Sequence, residues 1–381
     1  MKSYIYYSRV LVLLVFLLIK NSLLAETPRV ALQFGNGLNI EDVDSSMSLN
    51  IGVMMQNRLD VSKVFQEGTD PYTALQVRRM RLKFKGYFLH NKFDYNVQLS
   101  VIPSDIKAGN LIYDAFIRYK PIKQFQIQFG QGKLPGDREE ITSAERQFLV
   151  DRSTTNSLFK LDRDFGVQFF GNFGKKFIVK PRFSIASGEG KNYNALDVQH
   201  FSYTTRIDFL PTGEFSGGGD YTFQDLAREV KPKFALSTAY DFNNKAVFNK
   251  GSWGGTIVSD SLRHNIHSFY LDAILKYQGF TTTQGYVYRK AGENTTKYIA
   301  GQSFYITASY LSKKKLEVGA RFNRSFAGNY GNIATMNEYT VGLAYYISKN
   351  AAKVLTDYTL TDNKTTGIKS GNWRFQMQLA F

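Results

Sequence analysis

Hydrophobic and polar residues alternate with a period of two along most of this chain. The last stretch shows it most plainly: Trp373, Phe375, Met377, Leu379 and Phe381 are apolar or aromatic, while Arg374, Gln376 and Gln378 are polar. That spacing predicts a strand with one greasy and one wet face. From Ser46 onward such runs follow one another. Met47–Met55 is the first, and Met80, Leu82, Phe84 and Phe88 set against Arg79, Arg81, Lys83 and Lys85 form the second. Phe93–Val101, Tyr113–Tyr119, Phe125–Phe129, Phe165–Gly171, Phe177–Ile185 and Phe201–Phe209 come next. Phe234–Tyr240, Phe269–Tyr277, Phe280–Tyr288, Phe304–Tyr310, Leu316–Phe322, Tyr339–Tyr345, Val354–Leu360 and the terminal run complete the series. The total is about 16, an even number, as a closed bacterial membrane barrel requires. A soluble sheet would leave the aromatic rim and the strand edge of Trp373–Phe381 exposed, whereas lipid and closure against the first strand resolve both.

The connections carry a second signal. Short links around His90-Asn91, Pro121, Phe173-Gly174, Gln278-Gly279, Lys313 and 348–350 alternate with long ones. The long ones fall at 60–75, 102–110, 132–164, 187–199, 242–265, 289–300, 324–337 and 362–371. Short turns on one side and long loops on the other mark a transmembrane barrel. The segment 211–232 breaks the rule, being long where a short turn belongs. The longest connection, 132–164, predicts an inward-folded constriction loop. Arg138 through Leu149 reads as a helix, with Ile141, Ala144, Phe148 and Leu149 on one face. Residues 1–25 read as an export signal, with Lys2 and Arg9 before ten apolar residues, Val10–Ile19, and Ala25 at the cleavage position. Residues 26–45 are then a periplasmic lead-in and 46–381 the barrel.

Composition changes this picture in one respect. The chain of 381 residues has no Cys, so disulfides and thiolate metal sites are excluded. Its 48 Lys and Arg outnumber 32 Asp and Glu, for a net charge of +16, which leaves anionic lipid, nucleic acid and small anions as partners until the charges are placed. Strand parity places them. Arg79, Arg81, Lys83 and Lys85 share one face of the second strand, and each would cost about 2–4 kcal/mol in lipid at the midplane. They therefore face the lumen as a basic stripe, and Lys180, Arg182, Arg206 and Arg374 repeat the choice elsewhere. Arg78 has the opposite parity, which puts it at the rim or at a local bulge. Folded inward, the long loop brings Lys133, Arg138, Arg146, Arg152, Lys160 and Arg163 towards the pore, with Glu139, Glu140, Glu145 and Asp151 as partners.

Several of these segments are similar to the phosphate-selective porin O and P family. They are Arg78-Arg79-Met80-Arg81-Leu82-Lys83-Phe84-Lys85-Gly86, Lys92–Leu99 and Leu111–Ala115. The series continues with Gly130-Gln131-Gly132-Lys133-Leu134-Pro135, Glu140–Ser143, Asp151–Ser153, Arg163-Asp164-Phe165-Gly166 and Asp225-Leu226-Ala227-Arg228-Glu229. The resemblance runs over roughly Leu38 to Phe381. It implies an all-β fold, a transmembrane antiparallel β-barrel of about 16 strands, usually a homotrimer in the outer membrane, with a basic pore narrowed by an inward loop. Arg78 and Arg79 take the family's basic pore positions by local motif.

Other chemistry is weaker. His264 and His267, two residues apart in or beside a loop, lack the further ligands a metal site needs. Gly-x-Ser-x-Gly, Walker and Rossmann glycine motifs are absent. Asp94 and Asp114 on neighbouring strands could form a carboxylate pair or balance lumen cations. Three readings therefore compete: an anion-preferring diffusion porin, with phosphate among its candidate solutes; a receptor or adhesin barrel using loop aromatics such as Trp253 and Tyr330; and an envelope hydrolase. For the first, no cofactor, metal or nucleic acid is expected. The expected partners are membrane lipid, lipopolysaccharide phosphates and small anions.

Overall fold

The computed structural model describes residues 28–102, 110–192, 200–257, 263–292, 297–328 and 331–381. The export signal and Tyr330 lie outside these residues. Nineteen strands make one sheet. A hairpin comes first, β1 (Arg29–Gln33) and β2 (Gly37–Glu41), followed by β3 (Ser48–Val64), β4 (Tyr72–Phe88), β5 (Phe93–Ser100), β6 (Ile112–Ile122) and β7 (Phe125–Lys133). After the long loop come β8 (Arg163–Gly171), its two-residue continuation β9 (Phe173–Gly174), β10 (Ile178–Ala186), β11 (Ser202–Leu210) and β12 (Lys233–Asn243). Then follow β13 (Ile266–Tyr277), β14 (Phe280–Ala291), β15 (Gly301–Leu311), β16 (Leu316–Phe326), β17 (Met336–Ser348), β18 (Ala352–Asn363) and β19 (Lys369–Ala380).

Each strand pairs antiparallel with the next, β8 and its continuation β9 both against β10, and β19 returns to β3, from Ser370 opposite Val64 to Ala380 opposite Met54. Phe381 completes the seam, its amide donating to Val53 O at 2.9 Å and its carbonyl accepting from Val53 N at 2.6 Å. Without β1, β2 and β9 the ring is a closed barrel of 16 strands, matching every strand expected from alternation. The sidedness is inverted relative to a soluble sheet. On β17, Thr340, Ala344 and Tyr346 are buried while Tyr339, Val341, Leu343, Tyr345 and Ile347 point outward, 45–59% exposed. An apolar outside over a polar inside is stable only against lipid. No helix among the described residues is long and apolar enough to cross a membrane, as a barrel requires none.

Three expectations change. Residues 26–45 are more than a lead-in: their hairpin joins the sheet, Leu38 lying opposite Ile51 and Glu41 opposite Ser48. It extends β3 below the point where β19 ends. Two connections are shorter than expected, 65–71 and 364–368, because β3, β4, β18 and β19 run on past their apolar cores. The single helix expected from Arg138 to Leu149 is reduced to one turn, α1 (Arg138–Ile141), and a 3₁₀ turn at Ala144–Arg146, and a second short helix, α2 (Thr154–Phe159), follows beyond it. The reason is the lumen wall. Lys133 Nζ takes the carbonyls of Glu140, Ile141 and Thr142 at 2.5, 3.1 and 3.3 Å, so those oxygens no longer serve an α-helix. Asp137 and Ser153 cap the two fragments by accepting from Glu140 N and Asn156 N.

Candidate functional site

The loop 134–162 crosses the lumen and is fastened to the far wall by two apolar patches. Phe148, Leu149 and Val150 pack on Leu311, Ala344, Tyr346 and Leu355, with Leu226 beside them. Leu134, Phe159 and Leu161 pack on Ala186, Ala239, Tyr270, Val287 and Ile333. Polar ties complete the seal. Phe159 O at the end of α2 accepts from Tyr270 OH and from Arg289, both at 2.7 Å. Asp357 accepts Val150 N at 2.9 Å, and Lys353 Nζ donates to Gln147 O at 2.7 Å. The segment 211–232 folds inward beneath the loop: Phe215 and Phe223 join Ile178, Leu210, Ala235 and Ile274. Phe223 N donates to Arg146 O at 3.0 Å, joining the two insertions. The space left open lies along β3 to β7.

Between β4 and the loop this space holds a cavity of about 240 Å³. Seven basic residues line it: Arg78, Arg79 and Arg81 from β4, Lys133 from β7, Arg152 and Lys160 from the loop, and Arg163 from β8. One carboxylate, Asp114, also lines it, and that group is held by Arg163 at 2.8 Å. Two adjacent arginines reach one cavity because the register slips at this point. Gln56 lies opposite Arg79 and Asn57 opposite Val77, which leaves Arg78 without a partner, in a bulge. Of the two alternatives for Arg78, the bulge is the one realised. Tyr113 organises the opposite side, with the Arg81 and Arg163 guanidinium carbons 3.6 and 3.7 Å from its ring centre and Lys191 Nζ at 4.6 Å. Such cation–π contacts hold cations in place without neutralising them.

The carboxylates expected to pair within the loop mostly pair with the wall. Asp151 meets Arg58, Arg374 and Arg79 at 2.7, 3.3 and 3.7 Å. Burial pushes its carboxyl up, but those arginines outweigh burial and hold it far below the usual range. Glu145 meets Lys83 at 2.7 Å, and Glu139 meets Arg321 at 3.6 Å. Only Glu140 stays local, with Arg152 at 3.4 Å and Arg163 at 3.5 Å.

The geometry places several candidate pathway residues apart from this cavity. Arg138 and Arg206 are fully buried and share Asp272 and Asp208, at 2.7–3.4 Å. Arg182 leans on Asp208 at 3.4 Å, and Lys180 meets Glu214 and Asp220 at 3.0 Å each. These four face the lumen, yet in the half filled by the two inserted segments, where each cation is matched by carboxylates. None of the four lines the cavity at Arg78 and Arg79. Lys83 and Lys85 stay on the open side, Lys83 paired with Glu145. Asp94 and Asp114 do not form a pair: Lys120 holds Asp94 at 2.8 Å, while Arg163 holds Asp114. Trp253 is turned onto the constriction, its indole donating to Lys160 O at 2.9 Å, which removes its support for a receptor surface. Arg58 and Tyr113 were not singled out from sequence. Arg58 could have been found by extending the parity of Gln56 and Asp60, whereas nothing local marks Tyr113 as a shared ring.

Comparison with known proteins agrees with this architecture. A protein of Aquifex aeolicus (strain VF5), itself uncharacterised, is 22% identical over 382 residues, 87% of each chain. Among solved structures, an anion-selective porin from Comamonas acidovorans superposes with a TM-score of 0.58 at 11% identity, covering 88% of this chain and 100% of that one. The trimer form of OmpT, an outer-membrane protein of Vibrio cholerae, gives 0.54 at 11% identity, covering 87% and 99%. At such identities these likenesses speak for the fold. The sequence profile of the phosphate-selective porin O and P family matches residues 50–381, nearly the whole barrel together with its arginine bulge and inward loop, and the chain belongs to that family.

Proposed function

We propose that the protein is a passive diffusion channel of the bacterial outer membrane that favours anions, with inorganic phosphate among its solutes. The observation that carries this is the cavity whose lining holds seven basic residues and one carboxylate, basic on balance even though Arg79, Arg152, Lys160 and Arg163 each reach a carboxylate. A file of fixed cations lowers the barrier for anions and, with sites that stay weak, still lets them leave. Arg78 lines this cavity and makes no hydrogen bond or ion pair among the described residues, which leaves its guanidinium edges to a solute. No energy source is needed, since solutes move down their gradients. The anion-selective porin from Comamonas acidovorans shares this barrel, which supports the reading. The trimeric Vibrio OmpT supports a homotrimer, with short turns in the periplasm, long loops outside, and loop cations available to lipopolysaccharide phosphates. Residues 1–25 are assigned as the cleaved export signal.

The test is the reversal potential of the purified channel in a planar bilayer under a potassium chloride gradient. Chloride should permeate better than potassium, and replacing Arg78, Arg79 and Arg81 by Gln should reduce that preference. Raising the salt to 1 M, where the screening length falls to about 3 Å, should do the same to the wild type. Cation preference of the wild type at low salt would overturn the reading.

A further inference from the structure

A second cavity, of about 540 Å³, opens at the short-turn end below the constriction, and its chemistry differs from that of the eyelet. Its wall is one straight cross-strand row on the lumen face. Asn39 lies opposite Asn50, Asn50 opposite Lys85, Lys85 opposite Asn96, and Asn96 opposite Phe116. The N-terminal hairpin therefore supplies the first member through β2. The neighbouring row carries Glu41, which accepts from Tyr87 OH at 2.6 Å, and Asp94, held by Lys120 at 2.8 Å. Those carboxylates are committed to neighbours. Lys85 and Asn96 make no hydrogen bond or ion pair among the described residues and sit side by side, facing the same space. Phe116 offers an apolar ring next to them, with the Arg118 guanidinium 5.2 Å from its centre.

This combination suits a particular ligand. A bare anion needs donors alone, and the eyelet supplies little else. A hydroxyl both donates and accepts, so it is matched by amides, which do the same. An ammonium beside an amide, with an aromatic face alongside, accommodates a phosphate, its hydroxylated body and the apolar C–H surface between them. We propose that this vestibule is a second binding site, selective for small hydroxylated phosphate monoesters of the glycerol phosphate type, a solute class that extends the anion-channel reading on which it rests. Lys85 would take the phosphate, Asn96 the hydroxyls, and Phe116 the carbon skeleton. From Arg81 to Lys85 is four residues, or about 13 Å of strand, longer than such a solute. The eyelet and the vestibule thus act in succession.

The experiment is block of chloride current through the reconstituted full-length channel, with each probe added to both compartments. The probes are inorganic phosphate, methyl phosphate and sn-glycerol 3-phosphate. Methyl phosphate carries the same ester and charge without the hydroxyls. Glycerol 3-phosphate should block at several-fold lower concentration than methyl phosphate in the wild type. Asn96→Ala and Phe116→Ala should each remove most of that advantage. Equal block by the two esters in an anion-selective wild type overturns the vestibule site alone, as does an advantage that survives in both variants. A wild type that prefers cations overturns the channel reading and the site together.

Discussion

Arg78 and Arg79 sit next to each other in sequence, and strict alternation would send one of them into lipid. The bulge opposite Gln56 and Asn57 spares that cost by giving both a place at the cavity, and it flips the parity of β4 above it, so that Leu75 and Val77 face outward. At the same scale, Arg138 does anchoring work: Nε meets Asp272 at 2.8 Å and Nη1 donates to Asp220 O at 2.6 Å, linking loop, wall and the lower insertion. Arg138→Ala would leave Asp272 with Arg206 alone and Asp208 with Arg206 and Arg182. Breaking a buried pair costs about 3–5 kcal/mol, so the variant should lose its heat-resistant folded form in detergent at a lower temperature than the wild type, and its open-channel current should be noisier. Asp137 yields a pH prediction. Burial, with Glu139 and Glu140 adding to it, raises its carboxyl to about 7. Because the folded protein then binds that proton more tightly than the unfolded chain, the stabilisation is complete below about pH 4 and is lost as pH rises through about 7. Glu140 has the opposite sign: burial alone would raise it, but Arg152, Lys160 and Lys133 hold it down to about 2, and its contribution disappears only as pH falls through that value. Thermal stability should therefore decline from pH 4 to 7. Asp137→Asn, which keeps a capping side chain for Glu140 N, should flatten that decline, and an unchanged slope would rule Asp137 out as its source.

Among the elements, the loop 134–162 shows where local pattern stops being informative. Its apolar residues are buried as their spacing suggested, Phe148 and Leu149 among them, but by packing on β15, β17 and β18 and not as one face of a continuous helix. Replacing 135–161 with a short linker should raise single-channel conductance and admit larger solutes. A correctly assembled variant with wild-type conductance would contradict its role as the constriction. The segment 211–232 was an anomaly in sequence, too long for a turn. In the fold it is a second insertion, with Lys276 Nζ donating to Gly219 O and Gln224 O at 2.7 Å each and Arg228 donating to Gln278 O at 2.7 Å. Shortening it should widen the short-turn end and lower the melting temperature. Because it also removes Glu214 and Asp220, which hold Lys180, it should raise the preference for anions.

For the molecule as a whole, stability depends on the solvent at each face. Met377 is 55% exposed on the outward face of β19, at the seam that closes the ring. Met377→Lys should cost about 2–4 kcal/mol near the midplane and reduce the yield of heat-resistant inserted protein, while a charge at Gln376 on the lumen face should be tolerated better. Equal yields from the two variants would contradict the assignment of faces. The sequence by itself determined the 16 strands, their parity, the alternation of short and long connections, the basic face of β4 and the presence of a long functional loop. All of these rest on a period of two between neighbours in the chain, which is local information. Tertiary structure alone decided which lumen cations are free. Lys85 and Arg206 both have lumen parity, yet one borders an open cavity without an ion pair among the described residues and the other is locked between Asp208 and Asp272, residues 2 and 66 positions away. The same holds for the broken helix, the inward 211–232 segment and the ring of Tyr113 between Arg81 and Arg163. Each depends on what a distant strand presents across the lumen, and a side chain's charge is neutralised by neighbours in space, whose identity no local period encodes.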